Sequence, residues 1–215
     1  MILLNISFEI IFLINLVAYW GIFIKIKNPD SKIRRCYKRI FPVIWTICLI
    51  LPIFLSSSFF QFIFKENISY FQQFWGWFLV LGIIFLTIGI AIVLMVNKQY
   101  KVKVVDPKEL KLIISGVYSV VRHPIYLSWI LISMGFSFIF DSFITILFIP
   151  ILTLLLEIHS ILEEKYVLLP NFGDEYLKYK KKIPFRLFAR PYNYLLVIVA
   201  LLVIYIGFLN FILNS

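Results

Sequence analysis

Glycine, cysteine, histidine and charge are all in short supply in this sequence, and each shortage closes off a class of protein. There are eight glycines, and none falls in a Gly-x-Gly-x-x-Gly or Walker arrangement. A soluble Rossmann or P-loop domain is therefore excluded, and any nucleotide has to be held between helices. The two cysteines are Cys36, in a basic stretch, and Cys48, in an apolar run, so no structural disulfide is expected. Two histidines without a ligand-spacing motif give no metal site. No nucleophile elbow is present to carry a hydrolase triad. Charged residues make up only 15% of the chain, against about 25% in soluble domains.

What is present is apolar. Hydrophobic residues account for 62%, with 23 phenylalanines and 12 tyrosines. Runs at 2–24, 40–60, 74–96, 124–140, 142–158 and 192–213 approach or exceed the length needed to cross a bilayer, about 20 residues for an untilted helix. The composition and runs together predict an all-α integral membrane protein of about six transmembrane helices. The N-terminal run has no basic residue ahead of it and no small-residue cleavage site, so it is expected to remain as a span. The fourth and fifth runs meet at Asp141-Ser142 and read as a short helical hairpin over 124–158, with either residue able to cap the second helix. Pro150 is expected to kink that helix.

The formal net charge is +10, and 20 of 21 basic residues fall in 25–39, 97–123 and 159–190. With six spans those segments share one face, which the positive-inside rule makes cytoplasmic. The excess of positive charge points to anionic lipid headgroups and not to nucleic acid. Segments 97–123 and 159–190 are long for connectors in a membrane bundle, so the chemistry is expected there.

In the first, the Lys101-Val-Lys-Val-Val105 alternation predicts extended chain, and Asp106-Pro107 predicts a turn. Then comes Gly116-Val-Tyr118-Ser-Val-Val-Arg122-His123-Pro124-Ile-Tyr126. Pro124 suits the first turn of a helix, which sets Arg122 and His123 at its mouth, where unpaired N–H groups and the dipole favour a carboxylate or phosphate. Tyr126 is one turn away from His123. In the second segment, helical spacing puts Glu157, Ser160 and Glu164 on one face and His159 beside Glu163 on another. Acids near the end of a membrane helix need partners and are site candidates. Asn171-Phe-Gly-Asp174-Glu-Tyr then leads into Lys180-Lys-Lys182-Ile-Pro184. Acids at its start and lysines at its end predict an interfacial amphipathic helix near 174–182.

These blocks, with the Glu163-Glu164 pair between them, resemble the isoprenylcysteine carboxyl methyltransferases, part of a wider group of membrane methyltransferases that includes phospholipid N-methyltransferases. The resemblance covers roughly 97–190, which divides the chain into motif-free helices at 1–96, a methyltransferase core at 97–190 and a C-terminal helix at 191–215. It implies S-adenosyl-L-methionine as cofactor and a lipid-linked acceptor that arrives from the bilayer. By motif, Tyr118, His123, Pro124 and Tyr126 would contact the cofactor, the backbone of Lys111, Leu112 and Ile113 would frame its adenine, and Glu164 with Glu163 would bind its amino end or the neighbourhood of its sulfonium. Arg122 would orient the acceptor carboxylate, which makes Arg122 and Glu164 the catalytic candidates. Leu110 and Ser160 depart from the polar or basic residues that eukaryotic members tend to carry. N-methylation of a lipid amine is the alternative, followed by a membrane reductase using NADPH and a scaffold without catalysis.

Overall fold

A computed structural model describes residues 2–25, scattered positions between 32 and 51, residues 75–103 and 111–188, and Ile198. Every regular element among them is helical: α1 (Ile2–Lys25), α2 (Trp75–Lys103), a 3₁₀ turn (Gly116–Ser119), α3 (Pro124–Ile139), α4 (Phe143–Glu163), a π-helical turn (Glu164–Leu168) and α5 (Leu169–Lys182). The described positions between 32 and 51 are also helical. The all-α reading therefore holds, and four of the six apolar runs appear as α1 to α4. The run at 192–213 lies outside the described residues apart from Ile198.

In α2, Gly76–Gln99 is long and apolar enough to cross a membrane, and Pro124–Ile139 is a shorter apolar helix. At 1.5 Å per residue α2 is roughly 44 Å long, more than the ~30 Å hydrocarbon layer. Its last turns contain Lys98, Lys101 and Lys103. This corrects the extended chain expected from Lys101: Lys101–Lys103 are helical. No breaker precedes Asp106-Pro107, and adding a residue to an existing helix costs far less than starting a strand.

Two compact units emerge, one of residues 1–83 with 135–146 and one of 84–134 with 147–215. In the first, Tyr19 stacks on Phe41 at 4.1 Å between ring centroids. A Cβ on Gly82 would lie 2.8 Å from an Ile139 side-chain carbon, so glycine lets α2 approach α3 closely there. The hairpin turn also belongs to this unit. Asp141 takes φ 52, Ser142 N–H donates to Ser137 O at 2.8 Å and Asp141 N–H to Phe138 O at 3.4 Å, which ends α3 in a Schellman motif. Ser142 then caps α4: its carbonyl accepts Ile146 N–H at 3.1 Å and its hydroxyl meets that of Thr145 at 2.7 Å. Pro150 lies inside α4.

In the second unit a Cβ on Gly89 would lie 2.7 Å from an Ile132 side-chain carbon. Gly116, at φ 63, packs against the Gln99 amide; a side chain there would have to push that amide aside and would be strained by the positive φ. Segment 159–190, expected as a connector with one short helix, is helical through Lys182. Only the π-turn and Gly173 interrupt it. Gly173 sits at φ 49, ψ −125, a conformation open essentially to glycine, and sets off Asp174–Lys182 as its own amphipathic stretch. Tyr176 and Tyr179 form its buried stripe, and Asp174, Glu175 and Lys178 are exposed.

Candidate functional site

The mouth of α3 is built by two stretches of chain about 61 residues apart. Pro184 ends α5, and the backbone beyond it runs beneath Arg122 and His123. Arg122 N–H donates to Phe185 O and His123 N–H to Arg186 O, each at 3.0 Å. Tyr179 donates its hydroxyl to Tyr118 O at 2.7 Å. The N–H groups of Arg122 and His123, just ahead of the first turn of α3, are thus both paired.

Glu164 sits at the centre. Its position at the first residue of the π-turn matters, because an i→i+5 turn shifts the helix register and redirects the side chain. Glu164 Oε1 accepts from Arg122 Nε at 2.9 Å and from Arg186 Nε at 3.2 Å. Arg122 Nη2 lies 2.8 Å away and His123 Nε2 3.3 Å. Lys180 Nζ approaches the other oxygen, Oε2, at 3.3 Å. The side chains of Arg122 and Glu164 are only 2% and 5% exposed. Around them, His123 Nδ1 is 3.3 Å from Glu163 Oε2, and Tyr126 donates to that same oxygen at 2.7 Å. The Tyr126 ring stacks on His123 at 5.4 Å and meets the edge of buried His159 at 5.1 Å. Glu157 accepts from Arg186 Nη1 at 2.7 Å.

Burial alone would raise the Glu164 carboxyl. The His123 hydrogen bond and the charges of Arg122 and Arg186 outweigh it and hold the group well below the usual carboxylate range. Burial likewise opposes a charged His123, but its hydrogen bonds to Glu163 and Glu164 and their negative charge prevail and raise its pKa. Burial pushes the Tyr179 phenol up to about 12, and Tyr176 is raised by burial and by the charge of Glu164.

The structure thus brings together Arg122, His123, Tyr126, Glu163 and Glu164, with Pro124 opening α3 beside them and Tyr118 tied in through its carbonyl. Lys111, Leu112 and Ile113 lie ahead of the 3₁₀ turn in irregular backbone and are not joined to this cluster by any of these bonds. Arg122, expected to orient the acceptor carboxylate, is enclosed. Each guanidinium nitrogen has a partner, since Nη1 donates to Ile183 O at 2.6 Å and the others meet Glu164. The sequence reading missed Arg186, counted there only as one charge among many, and also Lys180, Tyr176 and Tyr179. The available signal was Ile183-Pro184, which stops α5 and turns the next residues back toward the cluster.

Residues 76–170 match the family model of the isoprenylcysteine carboxyl methyltransferase family. The match begins one span earlier than the motif blocks and stops before Asn171. The chain is 36% identical over 73 residues to a protein-S-isoprenylcysteine O-methyltransferase of Xenopus laevis, covering 34% of this chain and 25% of that one. It is 35% identical over 78 residues to the protein of that name from Schizosaccharomyces pombe, covering 36% and 33%. The matches therefore span about a quarter to a third of the length of these relatives. No solved structure matches the chain.

Proposed function

We propose, from the likeness of residues 76–170 to the isoprenylcysteine carboxyl methyltransferase family, that this protein is a membrane methyltransferase using S-adenosyl-L-methionine to esterify the carboxylate of a lipid-linked, prenylcysteine-like acceptor. The observation that carries the proposal is the bonding of Glu163 and Glu164 to the Arg122-His123-Pro124-Ile-Tyr126 block, because it joins the two most distinctive motifs into one polar cluster.

The residues fit the cofactor's zwitterionic amino end. Glu164 Oε2 and the Tyr176 hydroxyl are buried without a geometrically formed hydrogen bond among the described residues, and the partly exposed Lys180 approaches Oε2 at 3.3 Å. A ligand ammonium would satisfy Oε2, with Lys180 swinging to solvent. Glu163 and Glu164 would then hold this end, His123, Pro124, Tyr126 and Tyr118 would line the approach to the sulfur, and the backbone at Lys111–Ile113 would frame the adenine. Arg122 acts by fixing Glu164. When bound, the cofactor would supply an electrophilic methyl for a carboxylate oxygen of the acceptor, its sulfur keeping the electron pair of the broken bond.

An ionised acceptor gives up no proton, so positioning and exclusion of water suffice and no general base is needed. This favours a carboxylate over an amine. Methylation of an ammonium needs a base, and Glu164, held far below the usual range by its cationic neighbours, is a poor one. Arg122, Arg186 and Lys180 balance Glu157, Glu163 and Glu164, and a protonated His123 tips the cluster positive, which suits an anionic acceptor.

The clustered basic residues support a multi-pass topology with this site at the cytoplasmic face and anionic headgroups around it. Calorimetry on the detergent-purified protein tests the cofactor. S-adenosylhomocysteine should bind at 1:1 and raise the melting temperature. Heat from NADPH and none from S-adenosylhomocysteine would make the protein a reductase.

A further inference from the structure

We infer that Arg186, and not the enclosed Arg122, receives the acceptor's carboxylate, which takes the place that Glu157 now holds on its guanidinium. The inference rests on the methyltransferase reading for the identity of the acceptor, but its geometry stands apart from it. Arg122 has a partner on every guanidinium nitrogen and a side chain 2% exposed. To meet a substrate it would have to abandon Glu164 in a buried site, at a cost no incoming carboxylate could offset cheaply. Arg186 is different. Its side chain is 26% exposed, it uses Nε for Glu164 and Nη1 for Glu157, and Nη2 has no partner among the described residues. One edge of the guanidinium is thus anchored and the other is open to exchange.

Glu157 is a fitting place-holder. It is a carboxylate 2.7 Å from Nη1, and with a side chain 32% exposed it is not enclosed as Glu164 is. It also precedes Glu164 by seven residues, on the side of the apolar run of α4, while its carboxylate meets the same guanidinium. An acceptor entering from the bilayer with a prenyl tail among α4 side chains would bring its carboxylate to that guanidinium. The Arg186 backbone is held in place by His123 N–H, so the fork is fixed relative to the α3 mouth. Arginine is required because two parallel N–H donors, one on each terminal nitrogen, match both carboxylate oxygens, which an ammonium cannot do.

The test is direct binding of N-acetyl-S-farnesylcysteine and of its carboxamide to the purified full chain by calorimetry, with S-adenosylhomocysteine affinity measured in parallel. The parent should prefer the carboxylate. Arg186→Lys should weaken carboxylate binding by about 10- to 100-fold and leave the carboxamide unchanged, and cofactor affinity should fall by much less than carboxylate affinity, because Arg122 and His123 still hold Glu164. Glu157→Gln, which removes the competitor, should tighten carboxylate binding by up to about fivefold. Opposite signs in the two variants separate an exchange site from a structural ion pair, whose loss from either side would weaken binding. The inference is overturned if the parent shows no preference for carboxylate, if Arg186→Lys binds it normally, if both variants weaken it, or if Arg186→Lys loses cofactor affinity as much as carboxylate affinity, which would make this arginine a support of the cofactor site through Glu164. Because binding is read without turnover, these outcomes are independent of whether a methyl group is transferred.

Discussion

Arg122 and Glu164, 42 residues apart in the chain, meet at 2.8 and 2.9 Å with both side chains almost wholly shielded from solvent. Two ions withdrawn from water this completely are stable only together. Their pairing ties the mouth of α3 to the π-turn at the end of α4, and the surrounding contacts of His123, Arg186 and Lys180 all converge on the same carboxylate.

Removing one partner should therefore be costly. Arg122→Met leaves Glu164 buried with weaker compensation and is expected to lower stability by about 3–5 kcal/mol. Arg122→Met combined with Glu164→Gln should recover part of that loss, since no full charge is then stranded. Thermal or denaturant unfolding in detergent measures both; a single variant as stable as the parent contradicts the buried pair.

The pH dependence has two limbs with opposite signs. Glu164 is depressed in the folded protein, so its contribution is present above the ordinary carboxylate value of about 4.3 and is lost as pH falls toward its folded value. His123 is raised above its ordinary 6.5, so its contribution is complete below 6.5 and is lost as pH rises through the higher folded value. Melting temperature should accordingly decline above pH 6.5 in the parent and decline less in His123→Gln. Parallel profiles for the two proteins would remove His123 from the account.

Gly173 supplies a purely conformational test. At φ 49, ψ −125 it sits where other residues are strained, and nothing lies within 4 Å of the Cβ that alanine would add. Gly173→Ala should cost about 1–3 kcal/mol with no steric clash to relieve. Gly21→Ala, in the interior of α1 with equally open surroundings, should instead gain about 0.5–1 kcal/mol. The difference between the two is readable by unfolding.

Local rules explain what the sequence made legible and what it hid. The α3–α4 hairpin could be read because Asp141 and Ser142 carry their turn and cap chemistry within a few residues. The blocks at 116–126 and 163–164 were recognisable as motifs, and the structure joins them. Lys101–Lys103 misled because alternating Lys and Val favour a strand only when no helix is already running into them. The partners of Arg122 were invisible because they lie 42 and 61 residues away. Arg186 was hidden for the same reason: nothing in Phe185-Arg186-Leu187 says that this backbone returns beneath His123.

The central claim is that this polar cluster serves methyl transfer to a carboxylate, and the stability of the product's bond to alkali tests it most directly. Purified protein incubated with methyl-labelled S-adenosylmethionine and N-acetyl-S-farnesylcysteine should label the acceptor, and mild alkali should release that label as methanol, because a methyl ester hydrolyses. Label that survives alkali, or that appears only on amine-bearing phospholipid, would show N-methylation and contradict the account.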